Sequence, residues 1–282
     1  MFHRLPDSCS GVVRWGLVVV AFGFGVTPVF AQQGATDGEW HAFAADNGAT
    51  KYSPLDQINA DNVGDLRIAW SRQTVDQSIL DVVPELGYGN ANRATPLMVD
   101  GVLYAPNAVG LVEAFNPGTG ETLWVQQPFD NDPSSYRGAG TRGVAYWTDG
   151  NERRIVVQRG EWMYALNAET GEMYRDFGEN GRVDLTTGLS EGARYRWGGA
   201  PTIVRDVIVV GQSMSDTFVT KEDIRGDVRA FDVRTGELSW LFHTIPQAGE
   251  FGTDSWGDNS WEYSGHAPVW SLFAADEELG YV

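Results

Sequence analysis

Three stretches of sequence decide the fold: AFNPGTGETLW (Ala114 to Trp124), ALNAETGEMYR (Ala165 to Arg175) and AFDVRTGELSW (Ala230 to Trp240). They are copies of one phrase, and they start 51 and 65 residues apart. Spacing of this length is typical of a four-stranded propeller blade with inserted loops and is too long for most short solenoid repeats. We therefore predict an all-β fold, a β-propeller built from repeats.

Each copy predicts a β-hairpin with the same corner. A polar residue that can bond the backbone two residues further on is followed by a glycine suited to positive φ. The polar residues are Asn116, Asn167 and Asp232, and the glycines are Gly120, Gly171 and Gly236. Because one repeat cannot bury its own apolar face, we expect the large residue that ends copies one and three to pack onto a neighbouring unit. Copy two ends in Tyr174-Arg175, so its packing must differ.

Further turn signals give the blade boundaries. Asp100-Gly101, Asp149-Gly150-Asn151 and Asp206 each separate two strand-like runs. The count is four blades, at roughly 94–128, 143–177 and 200–243, with a last one that opens at Ala267 and stops at Val282. The segment from Leu66 to Arg72 is a candidate outer strand for a final blade. We therefore expect the chain to be the N-terminal part of a longer protein.

The first 31 residues predict a secretory signal peptide. Arg4 and Arg14 precede an apolar run from Trp15 to Phe24, and Val29-Phe30-Ala31 is a small-residue cleavage site. A single membrane anchor is the alternative, although the run is short and is interrupted by glycine and proline. With cleavage we expect an exported, periplasmic protein without a transmembrane span and a mature domain covering residues 32–282.

Charge and cysteine content exclude several classes of site and partner. The formal charge is −18 and becomes −19 without residues 1–31, so nucleic acid is not an expected partner. The single cysteine, Cys9, lies in the leader. Cleavage leaves no thiol, which excludes a disulfide or a thiolate metal site in the mature chain.

Six segments in order resemble the quinoprotein dehydrogenases, eight-bladed propellers that hold pyrroloquinoline quinone (PQQ). The resemblance runs from Trp40 to Val282. Within the family, the chain is more similar to the membrane-bound glucose dehydrogenase type, because this region lacks cysteine and contains the SMSDTF segment. The segments are TKYSPLDQINADNVGDLRIAW (Thr50 to Trp70), ATPLMVDGVLY (Ala94 to Tyr104), RGVAYW (Arg142 to Trp147), GGAPTIV (Gly198 to Val204), RGDVRAFDVRTGEL (Arg225 to Leu238) and APVWSLFAADEELGYV (Ala267 to Val282).

The resemblance implies site residues for PQQ, a planar molecule with three carboxylates, and for Ca²⁺ beside it. Trp270 matches the tryptophan that forms the floor under the quinone, and Arg142 matches the arginine that pairs with the cofactor. Ser213 and Ser215 are candidates to bond a cofactor carboxylate. Asp216 matches the position where the family has a calcium-binding carboxylate. A carboxylate suits this role because calcium prefers oxygen ligands. Each also has an ordinary structural explanation: packing, a surface ion pair or a solvated loop.

The chain departs from the family pattern at three places near the expected site. Arg93 stands where the family has a glutamate. The disulfide that covers the second face of the quinone in the alcohol enzymes of the family is impossible here. Its place falls near Tyr136-Arg137, and one of these two residues is a candidate for the cover. His266 precedes the stacking tryptophan and is a candidate titrating group, the alternative being a hydrogen-bonded structural histidine. The catalytic aspartate is expected beyond Val282, so no catalytic residue is predicted within this stretch, which we expect to be inactive alone.

The implied function is PQQ-dependent oxidation of a CH–OH group in a sugar or alcohol. Electrons would pass to a quinone or cytochrome. Any association of the protein with a membrane would occur through this electron acceptor. A non-catalytic propeller acting as a periplasmic scaffold is the alternative. A third possibility is glycan binding by exposed tryptophans within Phe251 to Trp261.

Overall fold

A computed structural model describes residues 34–84, 86, 92–129, 132–136, 138, 140–189, 194–213 and 224–282. Twelve strands form three four-stranded antiparallel sheets within these residues. The strands are β1 (Leu97–Val99), β2 (Val102–Pro106), β3 (Val112–Phe115), β4 (Thr122–Val125), β5 (Ala145–Thr148), β6 (Arg153–Arg159), β7 (Trp162–Asn167), β8 (Arg182–Asp184), β9 (Thr202–Val204), β10 (Val207–Val210), β11 (Val228–Asp232) and β12 (Leu238–Phe242). Each sheet follows chain order, as expected for a propeller blade.

Helices are short. One α-helix, α1, covers Gln77–Val82, and 3₁₀ turns cover Val63–Asp65, Pro133–Tyr136, Thr253–Ser255 and Gly257–Glu262. Asp76 caps α1, because its side chain accepts a hydrogen bond from the Ser78 backbone amide at 2.9 Å. No helix in the described part of the chain has the length and apolar character needed to cross a membrane.

The three repeat hairpins form as predicted. In the first copy, the Asn116 side chain accepts hydrogen bonds from the amides of Gly118 and Thr119, and Gly120 has a φ of +71°. Asn167 and Asp232 accept the equivalent pairs of bonds in the other two copies. The sequence prediction of one corner used three times is confirmed.

Tryptophans join neighbouring units. Trp124 donates a hydrogen bond from Nε1 to the Ala168 carbonyl at 3.0 Å, and its ring lies against Gly171 in the next repeat turn. A Cβ at Gly171 would approach that ring to 2.4 Å, so only glycine fits. Trp70 bonds the Pro117 carbonyl at 2.8 Å in the same manner. The expected packing of a large terminal residue onto a neighbour is confirmed for Trp124, whereas Trp240, which ends copy three, is 39% exposed on β12.

The unit that contains copy two contacts the next repeat turn through a backbone hydrogen bond and not through a tryptophan. The Gly178 amide donates to the Thr235 carbonyl at 2.7 Å, and Val183 lies against Gly236. The different packing expected after Tyr174-Arg175 is therefore confirmed. The outer strand of this sheet is β8, which begins five residues beyond the predicted end of the blade at 177.

The sheets pack face to face, and two apolar clusters fill the spaces between them. One lies between the first and second sheets and includes Leu97, Ile155 and Leu166. The other lies between the second and third sheets and includes Trp147 and Ile208. This layering is what propeller repeats require, since each sheet buries its face against the next.

The predicted fourth unit forms no sheet within the described residues. From Ala267 onward the chain contains a turn closed by a bridge between Asp276 and Tyr281, and no strand. The segment from Leu66 to Arg72 also forms no strand, and Ile68 is 88% exposed. Its pairing with a final blade stays a prediction.

Strand direction gives each sheet two different ends. The repeat turns between the third and fourth strands lie at one end, which we call the turn end. The residues before the first strand and the connection between the second and third strands lie at the other, which we call the loop end. Backbone hydrogen bonds join successive units there, from the Thr95 amide to the Arg142 carbonyl at 2.8 Å and from the Arg142 amide to the Gly198 carbonyl at 3.1 Å.

Candidate functional site

Arg142 lies at the loop end, shortly before β5. Its backbone bonds the residues that precede the first and third sheets, and its Nη1 donates a hydrogen bond to the Gly198 carbonyl at 3.2 Å. The guanidinium carbon lies 5.9 Å from the centroid of the Trp270 ring. Two residues that are 128 positions apart in sequence therefore place a cation and an aromatic plane side by side.

Trp270 is exposed over 59% of its surface. The preceding residue is held by the third sheet, because the Val269 carbonyl accepts a hydrogen bond from the Gln212 amide at 3.1 Å. A Cβ at Gly211 would approach that carbonyl to 2.1 Å, so the backbones come this close only with glycine. A large exposed indole on a firmly held backbone is typical of a binding surface.

Ser213 follows this contact by one residue. Its amide donates to the Arg196 carbonyl at 2.6 Å, and its side chain is partly buried. Three sequence-predicted residues, Arg142, Trp270 and Ser213, therefore converge at the loop end. Ser215 and Asp216 lie outside the described residues.

The other expected residues are distributed differently. Tyr136 is only 7% exposed and packs among Ile79, Val109 and Leu111, so its ring lies inside the protein and not open at the loop end. Arg137 lies outside the described residues. Arg93 is exposed.

His266 adopts a left-handed φ of +59°, and its amide donates to the Ile224 carbonyl at 3.0 Å. The backbone at this position is therefore fixed against the segment that leads into the third strand of the third sheet.

The aromatic residues proposed for glycan binding do not form an exposed tryptophan surface. Trp256 and Trp261 are half-buried, whereas Phe251 is fully exposed. The expectation of exposed tryptophans was therefore wrong, because both indoles are partly buried.

Behind the converging residues lie buried polar groups that sequence reasoning missed. Gln212, Trp197 and Arg229 each carry a buried side-chain nitrogen without a hydrogen-bond partner in the described part of the chain. Burial lowers the pKa of Arg229, and its Nη1 donates to the Thr187 carbonyl at 3.2 Å. Burial also raises the pKa of Tyr195, whose hydroxyl donates to the Gly211 carbonyl at 2.6 Å.

One signal in the sequence pointed to two of these residues. Gln212 directly follows the apolar strand VIVVG, and Arg229 interrupts the apolar run of β11. Polar side chains in or next to buried strands are uncommon unless they are bonded.

The same part of the molecule offers no clustered metal ligands. No group of three or more histidine, cysteine, aspartate or glutamate side chains lies close enough to hold a metal ion in the portion of the chain that the structure describes. The candidate calcium ligand, Asp216, is outside that portion.

A family model matches residues 40–282, and its description is the β-propeller domain of glucose, ethanol and alcohol dehydrogenases with PQQ. This range contains Arg142 and Trp270. The match covers more than half of the chain and the whole of the described sheet region.

Individual dehydrogenases are similar to the same region of the chain. The quinoprotein glucose dehydrogenase of Escherichia coli (strain K12) is 31% identical over 77% of this chain and 28% of its own length. The dehydrogenase subunit of alcohol dehydrogenase (quinone) from Gluconobacter oxydans (strain 621H) is 28% identical over 95% of this chain and 35% of its own length.

A solved structure supports the fold. The quinohemoprotein alcohol dehydrogenase ADHIIG from Pseudomonas putida HK5 superposes with a TM-score of 0.65 at 29% identity, over 86% of this chain and 33% of that one. The chain thus spans about a third of the length of the relatives that it matches.

Proposed function

Because the chain belongs to the PQQ β-propeller family of glucose, ethanol and alcohol dehydrogenases, we propose that its loop end holds PQQ. The protein would then take part in the oxidation of a CH–OH group of a sugar or alcohol. The relatives that it matches include quinoprotein glucose dehydrogenases and quinone-dependent alcohol dehydrogenases. This supports the general reaction class.

The observation that carries the proposal is the pair formed by Trp270 and Arg142. PQQ needs a flat apolar surface for its rings and fixed cations for its carboxylates and quinone oxygens. Trp270 offers an indole that is 59% exposed, and the Arg142 guanidinium lies 5.9 Å from it. The chemistry of these two side chains fits the cofactor.

Each residue has a distinct part in this proposal. Trp270 stacks under the rings, Arg142 donates hydrogen bonds to cofactor oxygens, and Ser213 and Ser215 donate to a carboxylate. Asp216 contributes an oxygen ligand to Ca²⁺. When bound, PQQ would supply a quinone that accepts a hydride, one proton with two electrons, from the CH–OH carbon, while the hydroxyl proton leaves to a general base.

The acceptor and compartment are part of the same proposal. The leader predicted over residues 1–31 would export the protein to the periplasm. Electrons would pass there to a quinone or cytochrome. The acidic chain, with a formal charge of −18, does not favour nucleic acid as a partner.

Reconstitution with the cofactor tests this function. The complete gene product would be titrated with PQQ in the presence of Ca²⁺, and bound cofactor measured by equilibrium dialysis. We expect saturable binding that weakens at least about tenfold in Trp270→Ala, because the stacking surface is lost. Trp240→Ala is the matched control, since Trp240 is also partly exposed at 39% but lies on the outer strand β12.

Two outcomes would contradict the proposal. Absence of saturable PQQ binding by the parent protein would favour a scaffold propeller. Equal weakening in the Trp270 and Trp240 variants would remove Trp270 from the site. Calcium is tested separately with Asp216→Asn, which we expect to raise the Ca²⁺ concentration needed for PQQ binding.

A further inference from the structure

A polar cleft of about 450 Å³ opens beside the loop end. Its lining includes Gln212, Arg225, Asp227, Glu262, Tyr263 and Ser264. It adjoins the Trp270 site, because the Gln212 amide bonds the carbonyl of Val269 at 3.1 Å. The volume lies within the range of small-molecule sites.

Gln212 gives the cleft an unsatisfied donor. The residue is only 1% exposed, and its Nε2 has no hydrogen-bond partner in the portion of the chain that the structure describes. A buried amide without an acceptor costs about 1–3 kcal/mol. Such a group points to a ligand that supplies an oxygen acceptor.

The carboxylates in the cleft limit the charge that this ligand can carry. Asp227 is half-buried, its Oδ1 accepts a hydrogen bond from the Thr244 amide at 3.2 Å, and burial raises its pKa. Glu262 is exposed, and its side chain forms no hydrogen bond or ion pair with any other described residue. The cation Arg225 already contacts the Gln247 side chain. Gln247 is neutral, so the cleft holds two carboxylates against one guanidinium, and this excess of negative charge disfavours an anion.

The remaining side chains favour a ligand with several hydroxyls. A hydroxyl both donates and accepts, so one ligand can donate to Asp227 and Glu262 and accept from Gln212. Tyr263 is 40% exposed and offers an aromatic face to C–H groups. A simple alkyl alcohol has a single hydroxyl and would leave most of these groups unpaired.

We propose that this cleft binds the vicinal hydroxyls of a sugar or sugar alcohol next to the Trp270 site. The inference rests on the proposed function for its reaction, and it narrows the substrate from any CH–OH compound to a polyhydroxy compound. Gln212, Asp227 and Glu262 are the recognition residues, and none of them takes part in holding PQQ.

Titration calorimetry without PQQ tests the cleft directly. The complete gene product would be titrated with glucose, galactose, sorbitol and glycerol, and with 1-propanol as the single-hydroxyl comparison. We expect saturable binding of at least one polyhydroxy compound and none of 1-propanol. Asp227→Asn and Glu262→Gln should each weaken the binding about tenfold, the effect of one lost charged hydrogen bond.

Controls separate a lost contact from a damaged fold. Asp254→Asn changes an exposed carboxylate on the same loop that does not line the cleft, and it should leave binding unchanged. Glu262 is exposed, so its variant should melt at the parent temperature. Gln212→Leu should also weaken binding, provided that its melting temperature matches the parent.

The results distinguish this inference from the proposed function. Binding of none of the four polyhydroxy compounds, or equal binding by the parent and the Asp227 and Glu262 variants, would overturn the cleft assignment. PQQ binding without sugar binding would leave the proposed function standing alone. Sugar binding without PQQ binding would support the cleft and contradict the cofactor proposal.

Discussion

The turn end and the loop end of the sheets are built on opposite principles. At the turn end, Asn116, Asn167 and Asp232 repeat one corner, and each accepts two backbone hydrogen bonds. At the loop end, the connections differ in length and sequence, and Gln212 and Trp197 carry buried nitrogens without partners in the described residues. Satisfied repetition stabilises the fold, whereas irregular loops supply the binding groups.

Two tryptophans show the difference. Trp124 at the turn end is half-buried, bonded to Ala168 and pressed against Gly171. Trp270 at the loop end is 59% exposed beside Arg142. The same residue type therefore serves packing in one region and is available to a ligand in the other.

The largest effect is expected for Trp124→Ala. Loss of the ring and of its hydrogen bond to Ala168 should lower the free energy of unfolding by about 3 kcal/mol. Trp270→Ala should change it by less than about 0.5 kcal/mol, because most of that ring is exposed. Chemical denaturation of both variants measures the two values, and a reversed order would break the comparison between the two ends.

Glycine at the repeat turn gives the next largest effect. Gly171 has a φ of +75° and lies against Trp124, whereas Gly101 has a φ of +78° and open space where an alanine Cβ would lie. Alanine at Gly101 should cost about 1 kcal/mol through backbone strain alone. Alanine at Gly171 should cost about 3 kcal/mol, because overpacking against the ring adds to the strain. Equal losses of stability for the two alanine variants in thermal denaturation would show that the Trp124 ring moves aside without cost.

At the loop end, Arg142→Lys sharpens the contrast. The substitution keeps the charge but removes the planar fork that can donate to two cofactor oxygens at once. We expect PQQ affinity to fall about tenfold, equivalent to about 1.4 kcal/mol, with little change in unfolding free energy. Equilibrium dialysis measures the first quantity, and an unchanged affinity would argue against a contact between Arg142 and the cofactor.

The smallest effect concerns the repeat corner that has a carboxylate. Burial opposes ionisation of Asp232, but hydrogen bonds from Thr235 and Arg234 outweigh it and lower the pKa of the carboxyl. A lowered pKa contributes stability above the unfolded value of about 3.9, and this stability is lost as the pH falls through the folded value.

Asp232→Asn isolates this contribution. Asparagine accepts the same bonds at Asn116 and Asn167 without titrating, so the advantage of the parent over the variant should shrink as the pH falls from about 5 to about 3. Unfolding free energies at the two pH values measure this. A difference that stays constant with pH would contradict the role of the Asp232 charge.

The turn end could be predicted well from sequence and the loop end only in part. Local chemistry specifies the repeat corners: a polar residue and a Thr-Gly pair predict all three hairpins. The closing tryptophan predicts the packing of Trp124, but Trp240 is 39% exposed. The same logic indicated that Tyr174-Arg175 would pack differently. It did not locate β8, since the strand Arg182–Asp184 lies beyond the copied phrase and is held by pairing with β7.

The candidate site depended on contacts between residues far apart in sequence. The resemblance named Arg142 and Trp270, but their proximity arises from the ordering of three sheets around one end. Nothing local predicted that Tyr136 would be buried against α1, or that Gln212 would lack a partner among the described residues. The cleft joins the segment that precedes β11 and the loop that follows β12, a juxtaposition that only the fold creates.

Fluorine NMR of the tryptophans tests the central claim, that the loop end holds the cofactor while the turn end holds the fold. The complete gene product would be labelled with 5-fluorotryptophan, and the signals of Trp270 and Trp124 assigned with Trp270→Phe and Trp124→Phe. On addition of PQQ and Ca²⁺ we predict that the Trp270 signal shifts and the Trp124 signal does not. A Trp270 signal that stays unchanged while PQQ is bound would contradict the account.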